Sequence, residues 1–421
     1  MTSANTEFKL IKAARVIDGL GGPPIERGAV LIQGDAIRSV GSEEEVVAPE
    51  GATVEEFLYE DKTVLPGLVD CHVHMIGIGD GRRGDDLALL PDEVLTLQAA
   101  KNARTHLYSG VTTVRDCGAK NRTTFMLRQA VEMGITPSPR LLLTGRPIAI
   151  IGGHLSYFGI EATGEVECRA AVRQLVKEGA DFIKITATGG STRTSFPLRP
   201  SFTVEEMTAI ADETHKFGKH AAAHCVSTQA IINALDAGVD TVIHGAYTET
   251  DGSHKDRPDV TERLAKQGVF VNLTLHQARD KQWQLEAKAE SEELTTEEQA
   301  EVDRIRSGVE QSLEHGSRLR AGGVTLVSGS DAAWADYKMG GFQDEVQAHV
   351  ELGMTPMQAI VSGTSDSARS CWAQERVGSL SAGKLADVLV VDGDPSRNID
   401  DLKKIVDIFQ GGQKIDRGDY V

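Results

Sequence analysis

His72 and His74 stand two residues apart at the end of an apolar run, VLPGLVDCHVHMIG, residues 64–77. A strand has a side-chain period of two, so both imidazoles point to one side and offer two nitrogens to a single divalent ion. Further along, Lys184 lies in DFIKITATGG, His224 in HAAAHC, His244 in VIHGA and Asp331 in SGSDAAW. Singly, each has an ordinary explanation: a histidine satisfied in the core, a lysine reaching for solvent, an aspartate capping a helix. Jointly, four imidazoles and a carboxylate form a donor set suited to zinc or a similar divalent ion. Lys184 is the odd member. An ammonium beside dications is strongly disfavoured, so it has to be neutral or chemically changed.

Such residues need a scaffold that gathers the ends of distant strands. Eight apolar runs are present: GLVDCHVHM, GVTTVRDCG, PRLLLTG, ADFIKITATGG, KHAAAHC, VDTVIHGA, VFVNLTL and TLVSGSD. Helix-like stretches such as PDEVLTLQAAKNARTHLYSG separate them, each closing near a glycine that can cap it. The count of eight predicts a (β/α)8 TIM-like barrel over residues 65–375, with chemistry at the C-terminal strand ends, and disfavours an open doubly wound sheet. Residues 1–64 and 376–421 break into short β-prone pieces, which predicts a small β-sandwich domain built from both chain ends. The charged stretch 277–320 follows the seventh run and reads as a lid, an oligomer contact or a solvated helix pair.

Composition narrows the partners. Of 421 residues, 40% are hydrophobic and 25% charged, enough for a sizeable core under a solvated surface. A net charge of −18 repels phosphate backbones and anionic lipid, so neither nucleic acid nor a membrane is an expected partner. The first residues lack the basic start and apolar stretch of a secretory signal. Five scattered cysteines, Cys71, Cys117, Cys168, Cys225 and Cys371, read as reduced thiols of a cytoplasmic protein. Cys71 and Cys225 adjoin histidines, but strand alternation turns them to the opposite face.

In their order along the chain, LPGLVDCHVHM, FIKITATGG, HAAAHC, VIHGA, SGSD and GSLSAGKLADVLVVDGDP resemble the metal-dependent amidohydrolase superfamily. The resemblance implies a centre of two divalent ions, zinc being the expected metal. His72, His74 and Asp331 would hold one ion, and His224 and His244 the other. Lys184, carboxylated by CO2, would join them. It also implies hydrolysis by metal-acidified water, with Asp331 passing the proton to the leaving amine.

Within the superfamily the chain is most similar to the imidazolonepropionase- and prolidase-like carboxypeptidase group, which includes ochratoxin A hydrolases. That implies cleavage of the amide bond of N-acyl or N-aroyl amino acids or dipeptides, release of phenylalanine from ochratoxin A being one case. His154, in RPIAIIGGHLSYFG, is then the expected contact for the substrate carboxylate. Ser191, Thr192, Gly77, His276 and Tyr247 are candidates for the pocket, and Met75, Ile76, Leu155 and Phe158 for an apolar acyl site. One position departs from the group: Val226 stands where many relatives carry a tyrosine, which favours a more apolar substrate. A deaminase, or a cyclic-amide, lactone or phosphotriester hydrolase, is the alternative on the same barrel. The presence of Lys184 favours the binuclear branch, and a non-catalytic scaffold would have lost ligands that are all in place. A small-molecule substrate and a homo-oligomer complete the expectation.

Overall fold

The computed structural model describes residues 7–418. The chain divides into two compact units. One takes in the chain up to Asp70, Thr105–Thr113 and the chain from Gly340 onward; the other comprises Cys71–Arg104 and Val114–Met339.

The first unit is built on strands from both chain ends. β1 (Glu7–Val16), β2 (Ile25–Gln33), β3 (Ala36–Ser42) and β4 (Thr53–Pro66) come from the N-terminal part. β5 (Leu68–Val73) and β6 (Val111–Asp116) each cross the division, and the second unit holds β7 (Arg140–Leu143), β8 (Ile148–Ala149), β9 (Ile160–Glu161), β10 (Ile183–Thr186), β11 (Ala221–Cys225), β12 (Thr241–His244) and β13 (Phe270–Asn272). The chain then returns as β14 (Val388–Asp392), β15 (Ile405–Gln410) and β16 (Gln413–Lys414).

The end strands hydrogen-bond as one seven-stranded sheet, β16-β15-β14-β4-β1-β2-β3, built from both chain ends as expected. The reason lies in β4. Its first half pairs in parallel with β1 and its last residues pair antiparallel with β14, so one long strand joins both ends of the chain. Alternation gives the sheet two apolar faces: Phe8, Leu10, Ala29 and Leu31 pack on one, Ile11, Ala13, Val30 and Ile32 on the other.

The second unit alternates parallel strands with helices. One sheet runs β13-β12-β11-β10-β8-β9, and a shorter one runs β5-β6-β7. β5 and β6 are buried at every residue, as strands covered on both faces are. Between the two sheets, Leu143 O accepts from Asp181 N at 2.7 Å. The eighth apolar run forms no regular strand, but Leu326 bridges in parallel to Val271 of β13 and Ala332 to Val73 of β5. Helices follow the strands with legible stops and starts. Gly179, Gly238 and Gly268 adopt left-handed C-caps, and Thr203 with Glu206 forms a capping box ahead of Val204–Lys216. The charged stretch becomes two helices, Arg279–Ala289 and Thr296–Ala321, the second anchored through Val302, Ile305 and Leu319. The five cysteines are all buried thiols. Among the described residues, no helix is long and apolar enough to cross a membrane.

In the first unit, His349 lies fully buried on helix Phe342–Glu351, with the Glu345 carboxylate 3.9 Å away, beyond hydrogen-bonding reach. Burial lowers its pKa from 6.5 to about 4, so the ring is neutral when folded. The unfolded chain binds this proton first as pH falls, so stability is lost between about pH 6.5 and 4. Denaturant melts at pH 7 and 4.5 should show His349→Leu losing less stability than wild type over that interval, by on the order of 2 kcal/mol.

Candidate active site

All six residues of the predicted constellation belong to the second unit, and all line one cavity of about 400 Å³. His72 lies near the end of β5 and His74 just beyond it; Lys184 is on β10, His224 on β11 and His244 on β12, while Asp331 closes the eighth run. The Nε2 atoms of His72 and His74 lie 3.3 and 3.4 Å from Asp331 Oδ1, and Lys184 Nζ lies 3.5 Å from His72 Nε2. The His224 ring centroid is 4.6 Å from that of His244, and His244 is 5.7 Å from His72.

The outward nitrogens settle the protonation of each ring. His74 Nδ1 is 2.9 Å from Gly118 O, and His224 Nε2 is 3.1 Å from Gly189 O; a carbonyl only accepts, so each of those nitrogens carries the hydrogen. Asn272 Nδ2 donates to the carbonyls of Val327 and Gly329, which turns Oδ1 toward His72 Nδ1 at 3.1 Å and makes that nitrogen the donor. The Thr274 hydroxyl donates to Leu273 O at 2.7 Å, so it accepts from His244 Nδ1 at 2.9 Å. Each imidazole therefore presents a lone pair on its other nitrogen.

Burial keeps these rings neutral. It is the largest cause of the lowered pKa in every case, down to about 3 for His74 and well below 6.5 for His72, His224 and His244, with nearby Lys184 adding to it. The contacts of His72 and His74 with Asp331 are thus not ion pairs. Two ring lone pairs, each within 3.4 Å of the same carboxylate oxygen, are repelled by it unless a proton or a cation lies among them. His72, His74 and Asp331 accordingly form a cluster that fits a metal ion. Burial also lowers the pKa of Lys184, favouring its uncharged amine.

Local backbone is bent to aim these groups. His244 and Asp331 have φ of 68° and 54°, and Thr274, the partner of His244, has 52°. Left-handed backbone is uncommon for residues with a Cβ and is retained where surrounding structure holds it. Here Asp331 N is fixed to His72 O at 2.7 Å.

Of the other expected residues, His154 and Ser191 line the cavity, as does Leu155. Thr192 stands behind, its hydroxyl 3.1 Å from His154 Nδ1. Gly77, His276 and Tyr247 lie off the cavity wall. Gly77 packs under the Ala333 carbonyl, where no side chain would fit. His276 is buried against Trp283 and Tyr337 and meets Asp280 at 3.0 Å. Tyr247 turns to His315 and hydrogen-bonds Thr261. Met75, Ile76 and Phe158 are buried outside the wall. The sequence reading missed Arg82, Arg83, Gln277 and Trp334, which line the cavity from connecting segments. Gln277 Nε2 donates to Asp331 Oδ2 at 2.6 Å. No strand pattern marks such positions; Gln277 is one residue beyond the histidine that was singled out.

A buried carboxylate, four imidazoles kept neutral by burial and a buried lysine whose pKa is lowered, gathered at the C-terminal ends of parallel strands, are the makings of a metal-dependent hydrolase. The pattern of the Amidohydrolase family matches residues 63–415, and the chain belongs to that family. Ochratoxinase from Aspergillus niger is 25% identical to it over 96% of this chain and 86% of its own. A Xaa-Pro dipeptidase crystallised with methionine in its active site is 27% identical with a TM-score of 0.80, covering 97% of this chain and 99% of that one. A prolidase complexed with N-methylphosphonate-L-proline is 25% identical with a TM-score of 0.80, covering 98% and 100%. The protein is a hydrolase acting on amide bonds.

Because Asn272 sets the proton of His72, its loss should be felt as weaker metal binding. Asn272→Leu should reduce affinity for a divalent ion by roughly 10–100-fold, read by metal titration, with a cooperative melt showing that the fold persists. Unchanged affinity would mean that His72 does not need this partner to act as a ligand.

Proposed function

We propose that this amidohydrolase uses a binuclear centre to cleave the amide bond of N-acyl or N-aroyl amino acids and dipeptides. The observation that carries the reading is the buried lysine amine among four histidine lone pairs and one carboxylate. His72, His74 and Asp331 would hold one divalent ion, His224 and His244 a second, and Lys184 both. An uncharged amine adds CO2 to become a carbamate, which replaces a disfavoured cation by an anion suited to bridge two metals. Zinc matches this mixture of imidazole and oxygen donors. When bound, such ions acidify water and polarise a carbonyl oxygen.

The remaining work falls to the chain itself. Asp331 accepts the proton of the attacking water and returns it to the departing nitrogen, since an amide leaves poorly as an anion. Gln277 steadies Oδ2 of that carboxylate while Oδ1 faces His72 and His74. We read the parallel strands of the second unit, with the bridges at Leu326 and Ala332, as a closed eight-stranded barrel, and residues 65–375 as its extent, flanked by small β-domain segments 1–64 and 376–421. Trp334, Leu155 and Val226 supply an apolar surface beside the centre, and the likeness to an ochratoxinase and a Xaa-Pro dipeptidase supports an acylated amino acid as substrate.

Metal-loaded enzyme should release a free amino acid from ochratoxin A or from members of an Xaa-Pro, Xaa-Phe and Xaa-Arg panel, followed by mass spectrometry. Turnover of cyclic amides, lactones or phosphotriesters with none of these substrates would overturn the reading. Lys184→Ala should abolish turnover and regain part of it with added short carboxylates. Full activity without additive would rule out the bridging role.

A further inference from the structure

An acylated amino acid carries a carboxylate into the cavity, and binding it there calls for a cation or several convergent N–H donors. His154, the contact expected from sequence, is poorly equipped. Its Nδ1 is held by Thr192, its ring lies 4.6 Å from His224, and Gly190 is pressed so close that a Cβ there would sit 2.7 Å from the ring. Val226 offers no polar side chain, and Lys184 stands against His72. Among the described residues of the cavity wall, the remaining cations are Arg82 and Arg83.

These two differ in what surrounds them. Arg82 Nη2 lies 3.2 Å from Asp80 Oδ2, which offsets its charge. Arg83 Nη2 donates to the carbonyl oxygen of Ser191, a neutral acceptor that orients the guanidinium without cancelling it. The carboxylate paired with Arg83, Asp85, lies 4.0 Å from Nε, beyond hydrogen-bonding reach. Guanidinium carries five N–H donors, so the Ser191 contact leaves capacity for a bidentate carboxylate.

The placement is built. Gly84, next in the chain, packs directly under the Tyr157 hydroxyl, and a Cβ there would also lie 3.2 Å from Trp334. Two residues further, Asp86 is held by Arg193 Nη2 at 3.0 and 3.1 Å. The segment after β5 is therefore fastened to the segment after β10 at Arg83 and again at Asp86, beside the apolar Trp334 surface. We propose that Arg83 is the specificity residue that binds the free carboxylate of the substrate. This rests on the acyl-amino-acid reading above.

The test uses metal-loaded enzyme, the best N-acyl amino acid of the panel and its decarboxylated counterpart, the same acyl group on the corresponding amine. Wild type should prefer the carboxylate by about 100-fold in kcat/KM. Arg83→Met should lose roughly 10–100-fold on the carboxylate substrate, mainly in KM, and leave the amine counterpart unchanged. Arg83→Lys should recover part of the loss, and competitive inhibition by the product amino acid should weaken in step. Equal losses on both substrates, no loss in Arg83→Met, or the same selective loss carried by Arg82→Met would overturn the assignment to Arg83 alone. A wild type that cleaves neither substrate would overturn the acyl-amino-acid reading and this role with it. Metal content and a thermal melt of each variant separate these outcomes from misfolding.

Discussion

Electrostatic repulsion among buried lone pairs is the constraint on which the site depends. Four imidazoles are each made to point a bare nitrogen inward because the opposite nitrogen donates to a partner held as an acceptor. Gly118 O, Gly189 O, the Asn272 carbonyl oxygen and the Thr274 hydroxyl oxygen perform that function. Without such partners a buried imidazole can exchange tautomers and present N–H to its neighbours, and the mutual repulsion vanishes. With them, the cluster is unfavourable by itself and becomes favourable around a cation. Binding of a cation there would thus depend on the outer hydrogen bonds as well as on the inward nitrogens.

The fold supports this by placing these side chains where strands end. A strand interior would fix the spacing of side chains but not their aim, since every second residue repeats one direction. The left-handed residues His244, Thr274 and Asp331 occur where the regular ladders stop, and there the backbone can turn a side chain across the cavity. Such conformations cost of order 1–3 kcal/mol each, offset here by buried strands whose hydrogen bonds leave the chain few alternatives. Asn272 and Thr274 bracket the end of β13, so one strand end orients histidines carried by two others.

The legibility of the site follows the same division. His72, His74, Lys184, His224, His244 and Asp331 were all readable, because strand alternation and apolar flanks say which side chains share a strand end. The two-ended β-sheet was readable from the turn-rich character of both termini, but its continuity was not, since nothing local in β4 announces a strand that pairs with β1 and β14 in succession. The eighth apolar run looked like the others yet holds only bridges, its residues spent on reaching Asp331. Residues on connecting segments were the hardest. Gly77, His276 and Tyr247 were placed at the pocket by proximity to strand ends, whereas Arg83 and Gln277 were passed over; in a loop, one residue's difference in position decides between facing a cavity and packing beneath it.

Charge distribution connects the site to the rest of the molecule. A chain of net charge −18 repels an anionic substrate at long range, and salt screens that repulsion beyond about 8–10 Å. At the cavity the balance reverses, because the arginines of the segment after β5 face it and the histidines within are neutral. Recognition of a carboxylate therefore has to be short-ranged, made by donors in contact with it and not by the field of the whole protein. A guanidinium whose hydrogen bond goes to a neutral carbonyl suits that requirement: the Ser191 contact sets the direction of Arg83, and the Asp85 carboxylate, 4.0 Å from Nε, attracts it without occupying its N–H donors.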